Sequence, residues 1–293
     1  MKSTVVVGYD QTPHSERALV QAAREAAWRG GSLTVVHAFD WISSTAPKTY
    51  VPAGVGATLE RSAEHIAGHG ADLARSRFPG LHVDAAVVPG DAAEALTTAA
   101  RGADLLVVGN RGRGGFTGLL LGSVSMRALT QSCVPTMVVR GEPRDPHDVV
   151  LVAVDVEEPS DEVLDFAFAE ASRRGARVAA VYAWDMTWTA EYAEYIGNVA
   201  DVRQATAAAA ADLDAALEAV VRTWHAKYPD VHVSHRVAHG APAAVLTEAT
   251  HHADLIVAGA RHHGDGRHGM RVGPVAHALG HHAECPVVLV PHG

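Results

Sequence analysis

The chain has 293 residues, 48% of them hydrophobic and 19% charged, enough length for two domains of ordinary size and enough apolar content for each to bury a core. No run approaches the roughly 20 apolar residues of a membrane helix. Met1-Lys2-Ser3-Thr4 leads into Val5-Val6-Val7 without the apolar region of a signal peptide, so a cytoplasmic location and no membrane partner are expected. A net charge of −9 disfavours nucleic acid, whose phosphates select a basic face.

In chain order, short runs rich in Val and Leu read as strands buried on both faces at 3–9, 32–38, 82–88, 104–109 and 135–140. Ala-rich segments between them favour helix, among them Ser15 to Trp28 and Ala57 to Arg77, with Gly30-Gly31 as a stop after the first. The same alternation returns with strands at 148–154, 177–183, 231–237, 254–259 and 286–291. Alternating strands and helices imply parallel sheets with right-handed crossovers. Residues 40–58 and 185–200 are less periodic and read as loops.

The second series repeats the first. Thr4-Val5-Val6-Val7-Gly8-Tyr9-Asp10 is matched by Val149-Val150-Leu151-Val152-Ala153-Val154-Asp155, a shift of 145 from Asp10 to Asp155 that Ser15 and Ser160 keep. Asp104 to Gly109 matches Asp254 to Gly259 at 150, and Pro135 matches Pro286 at 151. Collinear matches mark a duplication. The Gly141-Glu142-Pro143-Arg144-Asp145-Pro146 link suggests domains at 1–142 and 143–293. Their charges differ: 13 basic and 12 acidic residues in the first, 11 and 21 in the second, which also holds 14 of the 19 histidines. The cysteines, Cys133 and Cys285, are expected to be small buried hydrophobes.

After the strand at 104–109 comes Gly109-Asn110-Arg111-Gly112-Arg113-Gly114-Gly115, then Gly122-Ser123-Val124-Ser125 and a helix-forming stretch. Glycines between a strand's carboxyl end and a helix start allow close backbone approach, and free amides with the helix dipole face an anion. Ser123 and Ser125 are candidate hydroxyl donors, and Arg111 and Arg113 add positive charge. A flexible glycine-rich surface loop is the alternative on composition alone. For Asp10, capping the helix that begins near Pro13 is the alternative to ligand binding.

The spacing Gly109-x2-Gly112-x9-Gly122-Ser123 resembles the ATP-binding signature of universal stress proteins. No Gly-Lys-Ser/Thr follows, so it is not a Walker loop. The resemblance implies an α/β chain of two tandem Rossmann-like domains, each a five-stranded parallel sheet flanked by helices on both faces. It further implies ATP as the cofactor, with or without Mg2+. Asp10 would hold the ribose, with Gly8 and Tyr9 lining the same wall; backbone groups of His37 and Ala38 would meet the adenine. Gly109, Gly112, Gly122, Ser123, Val124 and Ser125 would wrap the phosphates. The last strands, Thr136–Arg140 and Val287–Pro291, are the expected seam of an intrachain pseudo-dimer, with a homodimer left open.

The second loop runs Gly259-Ala260-Arg261-His262-His263-Gly264-Asp265-Gly266-Arg267-His268 and on to Gly273-Pro274. His262 replaces the second glycine, Asp265 adds negative charge, and Pro274 removes both a hydroxyl and an amide donor. Weak or absent ATP binding is expected there, although Gly264 or Gly266 offers a way to reshape the loop. His251-His252, His262-His263-x4-His268 and His281-His282 suggest a metal or pH-sensing site, but adjacent helical residues point about 100° apart. Solvated surface histidines are the simpler reading, so no metal site is assigned. No catalytic residue is assigned either; Asp91 and Glu94 read as helix caps. The reading is a nucleotide-binding regulatory protein of the stress response with an unnamed protein partner. The alternatives are a slow ATP-hydrolysing enzyme and a ligand-free structural or dimerisation module.

Overall fold

The computed structural model describes residues 2–39, 55–112, 121–141, 145–185, 199–262 and 270–293. The chain divides into two compact units: residues 1–140 with 261–272, and residues 141–260 with 273–293. Among the described residues no helix is long and apolar enough to cross a membrane.

Unit one carries β1 (Thr4–Gly8), α1 (Pro13–Trp28), β2 (Ser32–Phe39), α2 (Val55–Arg77), β3 (His82–Pro89), α3 (Ala92–Ala99), β4 (Leu105–Gly109), α4 (Ser123–Gln131) and β5 (Thr136–Val139). Its strands lie in the order β3-β2-β1-β4-β5, every neighbouring pair parallel. Val5, Val7, Leu33, Val35, Leu105 and Val107 are fully buried, as continuous apolar runs require when helices cover both faces. Helices α1 and α2 pack on one face, α3 and α4 on the other. The chain winds from β1 out to β3, returns at β4 and winds the other way. Ligand crevices in such sheets open beyond the strand ends at this reversal, between β1 and β4.

Helix α1 shows how sequence sets an element. Thr12 caps it, its hydroxyl accepting from the Ser15 amide at 3.2 Å, and Pro13 fills the first position, where no amide is needed. Ala18, Leu19, Ala22, Ala23 and Ala26 form its buried stripe. The Gly30 amide bonds to Ala27 O and the Gly31 amide to Ala26 O, and Gly30 takes the left-handed φ of 58° that ends the helix. Glu25 is fully buried against Arg29 at 2.6 Å.

Unit two repeats this plan with β6 (Val149–Ala153), α5 (Asp161–Arg174), β7 (Arg177–Trp184), α6 (Val199–Lys227), β8 (Val233–His239), α7 (Pro242–Ala249), β9 (Leu255–His262), α8 (Pro274–His282) and β11 (Val287–His292), while β10 (Met270–Arg271) and the last two residues of β9 are counted with unit one. The order is β11-β9-β6-β7-β8, and β9, β6, β7 and β8 run parallel. Glu170, fully buried against Arg173 and Arg174, stands 145 residues after Glu25 and repeats its role.

Several expectations shift. Residues 55–58 already belong to α2 and residues 199–200 to α6, while 40–54 and 186–198 lie outside the described residues. Strand β8 begins at Val233 because the Val231 amide is used in the turn closing α6, bonded to Tyr228 O at 3.1 Å. Cys285 is buried as expected, but Cys133 is exposed. It occupies the middle of a turn held by Ser132, whose hydroxyl pairs with the Val134 backbone.

Candidate functional site

Asp10 stands just beyond β1. Its Oδ1 accepts from the Thr12 hydroxyl at 2.6 Å and the Thr12 amide at 3.1 Å, and its own amide donates to Ser15 Oγ at 3.2 Å. Thr12, not Asp10, caps α1, so the capping alternative for Asp10 does not hold. Thr12 thus holds one carboxylate oxygen. The other, Oδ2, faces Gly112, where an added Cβ would approach to 2.9 Å.

The glycine loop starts from Gly109 at the end of β4. A Cβ there would lie 2.8 Å from the His14 carbonyl oxygen, so only glycine lets β4 run this close to the start of α1. The loop closes where the Gly122 amide donates to Asn110 O at 2.8 Å. Arg113 and Gly114 to Leu120 lie outside the described residues. Gly122 caps α4 with φ −73° and ψ 155° and brings no side chain to satisfy the helix amides. The first intrahelical bond runs from Met126 N to Gly122 O, so the helix itself supplies no acceptor for the amides of Ser123, Val124 and Ser125. They form the positive end of the α4 dipole. Ser123 is exposed, Val124 half-buried and Ser125 buried.

Ser125 departs from expectation. Its hydroxyl donates to Gly109 O at 2.6 Å, which commits its one proton to tying α4 to β4. It can offer an anion its amide but not its hydroxyl proton. Tyr9 departs as well. Its ring is buried against α2, where a Cβ on Gly70 would meet Tyr9 Cδ1 at 2.7 Å, and its hydroxyl pairs with His69 Nδ1 at 3.0 Å. Burial, reinforced by Glu16 and Asp10, raises the phenol's pKa. The ring therefore turns away from the strand ends, because the residue after a strand that ends in Gly8 continues the alternation into the α2 face. Gly8 itself packs under α3, close to Leu96. His37 is buried and its Nδ1–H donates to Tyr9 O at 2.7 Å; Ala38 follows it, half-buried, opposite Val88 of β3.

Three polar groups beside the loop complete the setting. Asn110 Oδ1 and Arg111 Nε are buried, and the Asn110 side chain lies beside the His14 imidazole. His14 accepts through Nδ1 from Arg17 at 2.8 Å. Burial, then the charges of Arg17 and Arg111, lower its pKa, outweighing the opposing effects of Asn110 and Asp10. His14 and Thr12 escaped the sequence reading, although Thr-Pro before an Ala-rich stretch is a recognisable helix start. Asp91 caps α3 through the amides of Ala93 and Glu94, as expected, and its other oxygen accepts from Arg127 at 2.6 Å.

Among the described residues, the second repeat differs from the first at the positions corresponding to this loop. Strand β9 does not stop at Gly259 but runs on to His262, and Arg261 and His262 pair antiparallel with Arg271 and Met270. His263, Gly264, Asp265, Gly266 and His268 lie outside the described residues. A Cβ on Gly259 would come within 2.6 Å of His292 Nε2 and 3.2 Å of Val163 Cγ2, so an imidazole covers this strand end. Pro274 opens α8, and Ala276 stands where Ser125 stands in unit one, so the clamp hydroxyl is missing. Asp155 is exposed and accepts from the amides of Glu157 and Glu158.

The family profile for the universal stress protein family matches residues 1–140 and again 147–291. A universal stress protein of Mycobacterium tuberculosis is 32% identical over 293 residues, covering 97% of this chain and 96% of its own. One from Mycolicibacterium smegmatis is 30% identical over 292 residues, covering 98% and 96%. Among solved structures, a universal stress protein from Archaeoglobus fulgidus matches the fold with a TM-score of 0.70 at 18% identity, covering 99% of this chain and 98% of that one.

Proposed function

The chain belongs to the universal stress protein family, and we propose that it is an ATP-binding regulator whose nucleotide is held by unit one and serves as a conformational or partner-choice signal. One observation carries this reading: the Gly122–Asn110 closure presents the α4 amides, under a cap with no side chain, across the strand reversal from the tethered carboxylate of Asp10. A polyphosphate supplies the acceptors those amides require, and a ribose supplies hydroxyl donors for a carboxylate at a strand end. Gly109, Gly112 and Gly122 keep the backbone bare along the phosphates, with Ser123, Val124 and Ser125 contributing amides. Asp10, beside Gly8 and the Tyr9 backbone, takes the ribose, and the ends of β2 at His37 and Ala38 flank the base. Arg111, whose Cα lies beside Gly122, adds positive charge next to the loop.

Mg2+ would arrive as the polyphosphate's counter-ion, since no three His, Cys, Asp or Glu side chains are grouped for a metal among the described residues. The signalling role is favoured over turnover by how the local titratable groups are engaged. Asp10 Oδ1 is held by Thr12 and His14 Nδ1 by Arg17, and with the other Asp10 oxygen assigned to the ribose neither group is left to activate a water.

Calorimetric titration of the whole chain with ATP tests the proposal, beside Gly122→Asp and Asp155→Ala. One ATP per chain, abolished by Gly122→Asp and unchanged by Asp155→Ala, is the expected result. Failure of the unmodified chain to bind ATP would overturn it, and two ATP per chain would overturn the assignment to unit one alone.

A further inference from the structure

Helix α8 opens with Gly273 and Pro274 where α4 opens with Gly122 and Ser123, a shift of 151 residues. At the same shift, Met126 and Thr130 of α4 become His277 and His281 of α8. Four residues apart on a helix, these side chains share one face. Their rings stack with centroids 4.4 Å apart and planes inclined by 26°. His277 is exposed and His281 half-buried, with the His281 Nε2 shut off from solvent. The neighbouring His282 points elsewhere, its ring 6.1 Å from that of His281.

We propose that His277 and His281 form a two-imidazole site for a divalent transition-metal ion such as Cu2+ or Zn2+. Nitrogen ligands on one tetrahedral ion sit about 3.3 Å apart, given metal–nitrogen bonds of roughly 2.0–2.1 Å. The two rings lie 4.4 Å apart between centroids, wider than that spacing, so rotation about the side-chain bonds is what brings a nitrogen of each onto one ion. The backbone already holds the two rings together, so the second bond forms as an intramolecular step. His281 stands in the last turn of α8, where the negative end of the helix dipole favours a cation. Water would fill the remaining coordination positions, and soft, imidazole-seeking ions are favoured over Mg2+ and Ca2+. Unit two thus carries a cation site on the helix that corresponds to the phosphate-facing helix of unit one. This inference is independent of the ATP assignment.

The test titrates the full chain with Cu2+ and Zn2+ in chelator-free buffer, beside His277→Ala, His281→Ala and His282→Ala. The expected result is one ion per chain in the tightest phase, Cu2+ held more tightly than Zn2+. Either of the first two substitutions weakens it by on the order of a hundredfold, and His282→Ala leaves it unchanged. Alanine is the strongest helix former, so α8 is retained in each variant. Unchanged affinity in His277→Ala and His281→Ala, or an equal loss in His282→Ala, overturns the site. Electron paramagnetic resonance of the Cu2+-loaded chain gives a check that needs no variant: coupling to two imidazole nitrogens supports the site, and coupling to one or none overturns it.

Discussion

Ser125 Oγ donates a buried 2.6 Å hydrogen bond to Gly109 O, joining the first turn of the loop's outgoing helix to the end of its incoming strand. The glycine loop between them is thereby pinned at both ends. Ser125→Ala removes the donor from a buried carbonyl and should cost about 1–3 kcal/mol. Chemical denaturation followed by circular dichroism should show the lower midpoint. Nucleotide affinity should fall with it, although the hydroxyl proton is not free for phosphate. An unchanged midpoint would mean that the clamp contributes nothing to the fold.

Gly112 and Gly122 should respond differently to alanine. At Gly112 the new Cβ lies 2.9 Å from Asp10 Oδ2, and Asp10 cannot retreat without loosening its bonds to Thr12. At Gly122 the nearest atom is Arg111 Cα at 3.4 Å, an ordinary contact. ATP affinity should therefore drop roughly tenfold in Gly112→Ala, about 1.4 kcal/mol, and much less in Gly122→Ala. Calorimetry on the two variants decides this.

Gly122→Asp separates binding from stability. Gly122 has the extended backbone of a helix cap, so an aspartate there can accept from the α4 amides that are offered to phosphate. Binding should be lost while thermal stability holds or rises. Loss of stability together with binding would show instead that the substitution disrupts the loop.

The Glu25–Arg29 pair is almost wholly excluded from solvent, with Gln21 also donating to the carboxylate at 2.7 Å. Arg29→Ala leaves a buried carboxylate short of its counter-charge and should cost about 3–5 kcal/mol. Glu25→Leu with Arg29→Met removes both charges and should recover a large part of that loss. Urea melts of the single and double variants measure the difference.

In unit two, Tyr228 donates to Asp165 at 2.8 Å, and Lys227 donates to the same carboxylate. Burial, then the bond to Asp165, pushes the phenol's pKa up from 10.0 to about 12. The unfolded chain releases this proton first, so the phenol's contribution is complete below pH 10 and fades as the pH climbs to about 12. Asp165 is the opposite case. Partial burial opposes its ionisation, but Lys227 and Tyr228 outweigh it and lower its pKa below 3.8. Its contribution is present above that value and is lost as the pH falls through the folded one. Tyr228→Phe should flatten the alkaline limb of a stability–pH profile, and a limb that is unaltered would rule out this assignment.

Order along the chain made much of this protein legible. The duplication, the strand–helix alternation, Asp10 at a strand end and the Gly109–Gly112–Gly122 spacing are all local or periodic features, and each repeat repeats the reading. A helix end was readable where glycines announce it, as at Gly30-Gly31, whereas the Thr12 cap at the start of α1 emerged only from the structure. The roles of individual side chains were not. That Ser125 clamps Gly109, that Tyr9 turns into α2, that His292 covers Gly259 and that His277 meets His281 depend on which elements the crossovers bring together. Gly259 and His292 are 33 residues apart in the chain and in contact in space only because β9 and β11 lie side by side. Residue type determined what each group could donate, accept or leave bare, while packing decided which partner used it, because a hydrogen bond is set by a few tenths of an ångström that only the folded chain defines.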